Sequence, residues 1–277
     1  MLIDTHTHLN FEAFKTDWQE AVRRAQEMGV NKMVVVGTDI KTSEKAIEMA
    51  KQNKALYATV GYHPHHVRSF IKLAYARVQL AQITDQLKKL AKDKKLVGIG
   101  ECGLDYHISI RSSKTEWQKL KNLQKQVFGM QIQLAKEMNL PMVIHNRKAD
   151  MEVLDTIDHF CKSDCRYPRG VLHCISGTKK YLKQGLKMGF YIGVDGNVTY
   201  SQEVQKLAKE VPLNRLVIET DSPYLTPMPL RQKRCKYLRN EPSNVKVVAN
   251  FLAKLKKVEV DKLEKITTKN AQELFNL

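Results

Sequence analysis

Short apolar runs recur along the chain and alternate with longer segments in which apolar residues are three or four positions apart. The short runs are rich in Val and Ile, which is typical of parallel strands that are covered on both faces. They lie at 2–5, 33–37, 56–61, 96–100, 141–144, 170–172, 190–194 and 216–219. The pattern therefore predicts eight buried strands.

The longer segments predict amphipathic helices. In the segment 116–139 the apolar positions fall on one helical face, and Lys and Gln fill the other. These apolar positions are Leu120, Leu123, Val127, Met130, Leu134 and Met138. Leu140 and Pro141 then favour the end of the helix and the start of a strand. Segment 67–95 predicts one extended helix or two helices, and the segment from Val245 to Leu255 has the same helical spacing.

The alternation of strands and helices covers the whole chain and predicts βαβ units with a parallel sheet. No linker-like stretch divides the repeats. Eight repeats of this kind favour a closed (β/α)8 TIM barrel over a doubly wound open sheet, and this barrel needs about 250 residues. We therefore expect one α/β domain over residues 1–277.

The charge balance points to a class of binding partner. The chain has 46 Lys and Arg against 29 Asp and Glu, which gives a formal net charge of +17. Such an excess attracts and steers polyanions, of which nucleic acid is the obvious one. A solvated, lysine-rich surface is the alternative, because the basic residues are spread widely.

The cysteines and the apolar runs bear on the location of the protein. The five cysteines are odd in number and scattered, which argues against a disulfide framework and for a reducing compartment. The first residues have no basic segment followed by a long apolar stretch, and no window approaches the length of a membrane span. We expect a cytoplasmic, monomeric protein that has no contact with membranes.

Polar residues with metal-binding chemistry follow five of the predicted strands. His6 and His8 are two positions apart, so both can face the barrel interior. The others are Glu101, His145, His173 and Asp221, each directly after an apolar run. In a TIM barrel the carboxyl ends of the strands build the active site, so these six side chains are expected to meet there.

This set of side chains favours a metal centre over isolated structural histidines. Burial without partners would cost several kcal/mol for each polar group, so a metal or a hydrogen-bond network must compensate. Imidazole with carboxylate suits Zn²⁺, Mn²⁺ or Fe, and a larger share of carboxylate and water suits Mg²⁺. Six ligands exceed the needs of one tetrahedral zinc and fit two divalent ions bridged by a carboxylate.

The motifs around these residues resemble those of the TatD-type deoxyribonuclease family. The resemblance runs in order through the chain and covers essentially all of it. The matching segments are Asp4-Thr5-His6-Thr7-His8-Leu9, Gly61-Tyr62-His63-Pro64-His65, Gly100-Glu101-Cys102-Gly103-Leu104-Asp105-Tyr106, Ile144-His145-Asn146-Arg147, His173-Cys174-Ile175-Ser176-Gly177, Glu219-Thr220-Asp221-Ser222-Pro223-Tyr224-Leu225 and Arg239-Asn240-Glu241-Pro242.

The resemblance implies a two-metal hydrolase in which Glu101 bridges both ions. His6, His8 and Asp221 would complete one site, and His145 and His173 the other. The implied activity is hydrolysis of phosphodiester bonds in DNA by a metal-activated water. Some members remove D-amino acids from mischarged tRNA, so a D-aminoacyl-tRNA deacylase is the alternative. A nucleic-acid-binding protein with a structural metal is a third hypothesis, which the surplus of carboxylates disfavours.

Four residues are assigned further roles. Asp221 and Glu101 are the expected catalytic residues, with Asp221 as both ligand and general base. The alternative for Asp221 is a helix N-cap before Pro223. His63 and Arg147 are expected to contact substrate, and Arg147 can grip a phosphate with two hydrogen bonds. The basic stretch 229–238 is either a path for the phosphate backbone or a solvated loop.

Overall fold

A computed structural model describes residues 1–70, 76–107, 113–162, 167–231 and 239–277, without the side chains of 76–78. Its strands pair in parallel and in chain order, from the first to the eighth. They are β1 (Leu2–Thr7), β2 (Val30–Val36), β3 (Leu56–Val60), β4 (Leu96–Asp105), β5 (Met142–Arg147), β6 (Gly170–Leu172), β7 (Tyr191–Val194) and β8 (Leu216–Ile218).

The sheet closes through contacts between β1 and the residues that follow β8. Thr7 and Ser222 form a parallel bridge. The Asp221 N–H donates to the His6 carbonyl at 2.9 Å, and the His8 N–H donates to the Ser222 carbonyl at 2.7 Å. The predicted (β/α)8 TIM barrel is confirmed.

The α-helices of the described residues lie between the strands and after the last one. They are α1 (Trp18–Glu27), α2 (Ile40–Gln52), α3 (Ala76–Leu90), α4 (Lys114–Met138), α5 (Asp150–Cys161), α6 (Lys179–Lys187), α7 (Gln202–Glu210), α8 (Val245–Lys256) and α9 (Val260–Phe275). Short 3-10 helices lie at Glu12–Phe14, Pro64–Phe70, Gly196–Thr199, Leu213–Arg215 and Pro242–Asn244. No helix in the described ranges is long and apolar enough to cross a membrane.

Local sequence signals set the ends of α4. The Ser113 side chain accepts from the Glu116 N–H, and the Glu116 side chain reaches back to the Ser113 N–H, which satisfies donors that the first turn leaves free. Asn139 ends the helix in the left-handed conformation, with φ 53°. The segment 67–95, predicted as one helix or two, contains the end of Pro64–Phe70 and then α3, and residues 71–75 lie outside the described part.

The barrel interior is apolar where α9 covers it. An inner cluster of buried side chains comprises Ile3, Val34, Val36, Val97, Val143, Val171 and Val217 from the strands and Ala271, Leu274 and Phe275 from α9. The opposite faces of the strands pack against the surrounding helices in a larger cluster. α9 therefore closes the amino end of the barrel and leaves the carboxyl ends of the strands for a site.

Irregular pairing in β1 turns its histidines toward that site. Simple alternation would place Ile3 and His6 on opposite faces of the strand. However, Asp4 pairs with Met33 while Thr7 pairs with Val35, so β1 has one extra residue between these two pairs. A bulge of this kind re-aims the side chains beyond it. A comparable shift precedes Cys102 in β4, next to Glu101.

Candidate metal centre

Glu101 is the central residue of the site. It is 4% exposed and both carboxylate oxygens face imidazole nitrogens. Oε2 lies 3.7 Å from Nε2 of His6 and 3.7 Å from Nε2 of His8. Oε1 lies 2.9 Å from Nδ1 of His145, 3.5 Å from Nε2 of His63 and 3.8 Å from Nε2 of His173. One carboxylate thus joins two groups of histidines.

Asp221 faces the same histidines from the end of β8. Its Oδ1 lies 3.6 Å from Nε2 of His6, 3.4 Å from Nε2 of His8 and 3.9 Å from Nε2 of His173. Its φ of 54° is unusual for a residue with a side chain, and such conformations are concentrated at functional sites. The N-cap alternative for Asp221 is wrong, because no α- or 3-10 helix begins in the described residues 221–231.

The donor atoms form three overlapping groups, in each of which they lie within 4.8 Å of one another. The groups are His6 with His8 and Glu101, His6 with His173 and Asp221, and His63 with Glu101 and His145. All six predicted ligands are therefore brought together. His63, predicted to contact substrate, lies among the possible ligands as well. His173, expected beside His145, lies at similar distances from Glu101 and Asp221.

Hydrogen bonds on the far side of the ring, away from the metal-facing nitrogen, fix the orientation of His8 and His173. Nδ1 of His8 donates to the Val36 carbonyl at 3.0 Å, because a carbonyl can only accept. Nδ1 of His173 lies 2.9 Å from Oε1 of Glu219. A histidine that donates through Nδ1 presents the lone pair of Nε2 to a metal.

The lone pair of His8 provides a test of whether the residues fit a metal ion. With the proton on Nδ1, Nε2 of His8 faces Nε2 of His6 at 3.1 Å and the oxygens of Asp221 and Glu101 at 3.4 and 3.7 Å. Lone pairs that face one another in a buried site repel unless a cation lies between them. The donor set of imidazole and carboxylate is also the set that divalent ions take. The residues fit a metal centre.

The charge states of the side chains agree with that fit. Burial acts to raise the pKa of Glu101, but His63, His145 and His6 outweigh it and hold that pKa well below its usual range. Burial likewise opposes ionisation of Asp221, and the neighbouring histidines, first of all His8, lower its pKa. Burial lowers the pKa of His63 to about 4. The site therefore combines ionised carboxylates with a neutral His63.

Sequence analysis missed two buried carboxylates that orient ligands. Glu219 accepts from the Cys174 N–H at 2.6 Å as well as from His173. Gly193 makes room for it, because a Cβ there would lie 2.4 Å from Oε2 of Glu219. Asp105 lies 3.4 Å from Nε2 of His145 and 2.6 Å from Nε2 of His65. The sequence did contain a signal for both carboxylates, since each follows an apolar residue at the end of a strand: Asp105 follows Leu104, and Glu219 follows Ile218.

A cleft of about 820 Å³ opens over the centre. Arg147 and His63, the two residues expected to contact substrate, both line it, together with Phe11 and Tyr224. Arg147 is exposed, and no ion pair with the described residues holds its guanidinium. A free guanidinium beside a metal centre can bind a phosphate.

The basic stretch 229–238 is described only as far as Arg231, and its remaining residues lie outside the described part. The guanidinium of Arg231 lies 4.2 Å from the ring centre of Tyr200. Arg239, just after the stretch, is held by Asp17 at 2.6 Å and Glu241 at 2.7 Å. Arg239 therefore links the segment before α1 to the segment before α8 through these ion pairs.

Comparisons with known proteins agree with this geometry. The family model for TatD related DNase matches residues 3–276. The chain is 39% identical to the uncharacterized metal-dependent hydrolase YabD of Bacillus subtilis, and the match covers 100% of both chains. It is 30% identical to the 3'-5' ssDNA/RNA exonuclease TatD of Erwinia tasmaniensis, again over 100% of both.

A solved structure matches over the same length. It is YjjV, a TatD homologue of Escherichia coli K12, with a TM-score of 0.84, 25% identity and coverage of 100% of this chain and 98% of that one. The family model, the relatives and the solved structure all match over nearly the whole chain. The protein therefore belongs to the TatD-related DNase family of metal-dependent hydrolases.

Proposed function

We propose that this hydrolase cleaves phosphodiester bonds in single-stranded nucleic acid, with DNA as the main substrate. The observation that carries the proposal is the position of Glu101, whose two oxygens each face a different group of histidines. Two-metal sites with a bridging carboxylate are used for displacement at phosphorus. The Erwinia relative, named a 3'-5' ssDNA/RNA exonuclease, supports this substrate class.

The proposed ligands divide into two sets that share Glu101. His6, His8 and Asp221 would hold one ion. His145 and His173, which both face Oε1 of Glu101, would hold the other, and His63 shares a donor group with Glu101 and His145 and is close enough to take part. The donor atoms select the class of ion, which is a divalent metal such as Zn²⁺, Mn²⁺ or Mg²⁺. When bound, two divalent ions supply positive charge for the phosphoryl oxygens and make a water molecule more acidic.

Asp221 has the geometry and charge state of a general base. Oδ1 faces three histidines, so Oδ2 is the oxygen left to take a proton from the attacking water. The lowered pKa keeps the group ionised at neutral pH. In the proposed step the water oxygen attacks phosphorus and its proton passes to Asp221. The P–O bond to the leaving ester oxygen breaks in line, and that oxygen takes up a proton from solvent.

Arg147 and the net charge of the chain would serve binding. The exposed guanidinium of Arg147 in the cleft can donate two parallel hydrogen bonds to a phosphate flanking the scissile bond. The +17 charge raises the local concentration of a polyanion. The D-aminoacyl-tRNA deacylase alternative also fits a polyanionic substrate, but the names of the relatives do not favour it.

The proposal is tested by one assay with purified protein. The protein is stripped with a chelator and its metal content is verified, and then Mg²⁺, Mn²⁺ or Zn²⁺ is added back. Single-stranded DNA, duplex DNA, RNA and D-aminoacyl-tRNA are offered in parallel. We expect activity to vanish with the metal, to return with at least one ion, and to be highest on single-stranded DNA.

Two results would contradict the proposal. Full activity in protein shown to be free of metal would exclude a metal-dependent reaction. Hydrolysis of D-aminoacyl-tRNA and of no other substrate would assign the site to hydrolysis of a carboxylic ester instead of a phosphodiester. Glu101→Gln serves as the matched variant, because it keeps the shape of the bridging residue and removes its charge.

A further inference from the structure

Two aromatic rings stand at the edge of the metal centre without a catalytic role in the proposed reaction. Phe11 and Tyr224 both line the cleft. Their ring centres are 6.4 Å apart, with an angle of 72° between the planes. Phe11 also lies 4.3 Å from the ring of His8 at an angle of 14°, so it is stacked on a proposed ligand. The aromatic pair, Phe11 and Tyr224, therefore adjoins the centre directly.

Tyr224 is unusually exposed for its size. Its exposed fraction is 54%, although it follows Asp221 by only three residues. Among the described residues the exposed large hydrophobics are Met1, Met28, Tyr224, Met228 and Leu230, and the last three lie on the connection after β8. A large apolar surface that protein leaves uncovered beside a reaction centre is a candidate contact for substrate.

The backbone holds Tyr224 in a fixed place. Its N–H donates to the Asp221 carbonyl at 2.8 Å, and its carbonyl accepts from Nδ2 of Asn240 at 2.7 Å. The Asn240 N–H in turn donates to the Pro223 carbonyl at 3.0 Å. These hydrogen bonds fix the backbone that carries the exposed ring, so the ordering cost of a stacked ligand falls on the side chain alone.

The chemistry of the pair identifies the part of the substrate that it would contact. Arg147 offers charge to phosphate, whereas the faces of Phe11 and Tyr224 offer neither charge nor donors. Planar bases stack on such rings with little dependence on sequence. A base can reach a ring face only when it is unpaired and unstacked from its neighbours, so this contact selects single strands.

We propose that Phe11 and Tyr224 form a stacking subsite for the nucleobase next to the scissile phosphate and thereby select unpaired strands. The inference rests on the proposed nuclease function and adds the residues that recognise the base. It assigns the phosphate to the charged side of the cleft and the base to the aromatic pair.

The test combines a protein variant with a substrate change. A set of single-stranded oligonucleotides carries one abasic nucleotide at successive positions along the strand. For the wild-type protein we expect kcat/KM to fall roughly 5- to 150-fold when the abasic nucleotide occupies the subsite. Tyr224→Ala should lose part of this factor on the unmodified strand and show a correspondingly smaller further loss on that abasic strand, because part of the same contact is removed twice.

Matched variants separate stacking from other effects. Tyr224→Phe keeps the ring and should restore the dependence on the abasic position that Tyr224→Ala weakens. Tyr191→Ala removes a tyrosine at the start of β7, outside the cleft, and should leave the abasic profile unchanged. Equal losses for Tyr224→Ala on unmodified and abasic strands at every position would overturn the subsite.

A binding measurement keeps the two proposals distinguishable. 2-Aminopurine placed in the subsite position is quenched when it stacks, and it can be followed on Asp221→Asn without turnover. We expect quenching by Asp221→Asn and clearly weaker quenching when Tyr224→Ala is added. Wild-type protein that cleaves no oligonucleotide would contradict the proposed function, while the quenching would still decide for or against the subsite.

Discussion

The two ends of the same barrel have opposite chemistry. At the amino end, strand residues such as Val143 and Val171 pack against Leu274 and Phe275 of α9 in an entirely apolar cluster. At the carboxyl end, the same strands present buried imidazoles and carboxylates whose atoms lie 2.9 to 3.9 Å apart around Glu101 and Asp221. The first end stabilises the fold by burial, whereas the second end costs free energy to assemble.

The difference indicates that the amino end of the barrel mainly determines stability and the carboxyl end mainly determines activity. Apolar burial favours folding and contributes nothing to a reaction at the other end of the barrel. Buried titratable groups serve the reaction through their positions, and their desolvation opposes folding. Variants at the two ends should therefore give opposite combinations of stability and turnover.

The largest effect is expected at the carboxyl end, from Asp221→Asn. The change keeps the shape and one possible ligand oxygen but removes the base, so kcat should fall by roughly 10²–10⁴-fold. The melting temperature should stay the same or fall slightly, because the lowered pKa of Asp221 means that its ionised form is favoured in the folded protein. Steady-state kinetics, metal analysis and thermal unfolding check these outcomes.

Asp158→Asn is the control for that variant, because it makes the same change at an exposed carboxylate on α5. It should leave turnover unaltered. Near wild-type turnover of Asp221→Asn with a full metal content would remove Asp221 from the mechanism.

The converse result is expected at the amino end, from Leu274→Ala. Leu274 is buried in the inner cluster, and its truncation should lower the free energy of unfolding by about 2–5 kcal/mol. The kcat per folded molecule should not change, because the cluster is at the far end of the strands. Urea unfolding and activity well below the transition measure both quantities, and a large drop in kcat would contradict the separation of the two ends.

The smallest effect should come from Glu219→Gln, which sharpens the comparison within the carboxyl end. Glu219 contacts His173 and the Cys174 N–H but belongs to none of the three donor groups. Loss of its charge should weaken metal binding or activity by roughly 10–100-fold, as for other groups that orient a ligand. Titration of the stripped protein with metal measures the affinity.

Added metal distinguishes this role from a direct one. If Glu219 acts by orienting His173, a high metal concentration should restore much of the activity of Glu219→Gln. Asp221→Asn should not recover in this way. Equal behaviour of both variants would place Glu219 in the same class as Asp221.

The apolar end was readable from the sequence in more detail than the polar end. The predicted strand 170–172 agrees with β6, and 190–194 differs from β7 by one residue. By contrast, the predicted strand 96–100 continues to Asp105, because polar side chains end the apolar pattern before the backbone pairing ends. Hydrophobic periodicity follows burial against apolar neighbours, so it is lost where a strand enters the site.

The meeting of the six proposed ligands at one end of the barrel could be predicted, because each lies just after a predicted strand, but their supporting contacts could not. Spacing placed His6 and His8 on one face, yet the extra residue in β1 that turns them inward leaves no mark in the sequence pattern. The bond from His173 to Glu219 joins residues 46 positions apart, and it appears only when β6 and β8 are both in place. The positions of Phe11 and Tyr224 depend on tertiary structure in the same way.

The closure of the amino end by α9 has a consequence for synthesis of the protein. Ile3 of β1 and Phe275 of α9 belong to one cluster, although all the other strands of the barrel lie between them in the chain. At 5–20 residues per second a ribosome needs on the order of tens of seconds to pass from one to the other. During that interval the inner faces of the strands have no cover from α9. A nascent chain of this protein should therefore expose these apolar faces until α9 has been made, and truncation before α9 should yield an aggregating product.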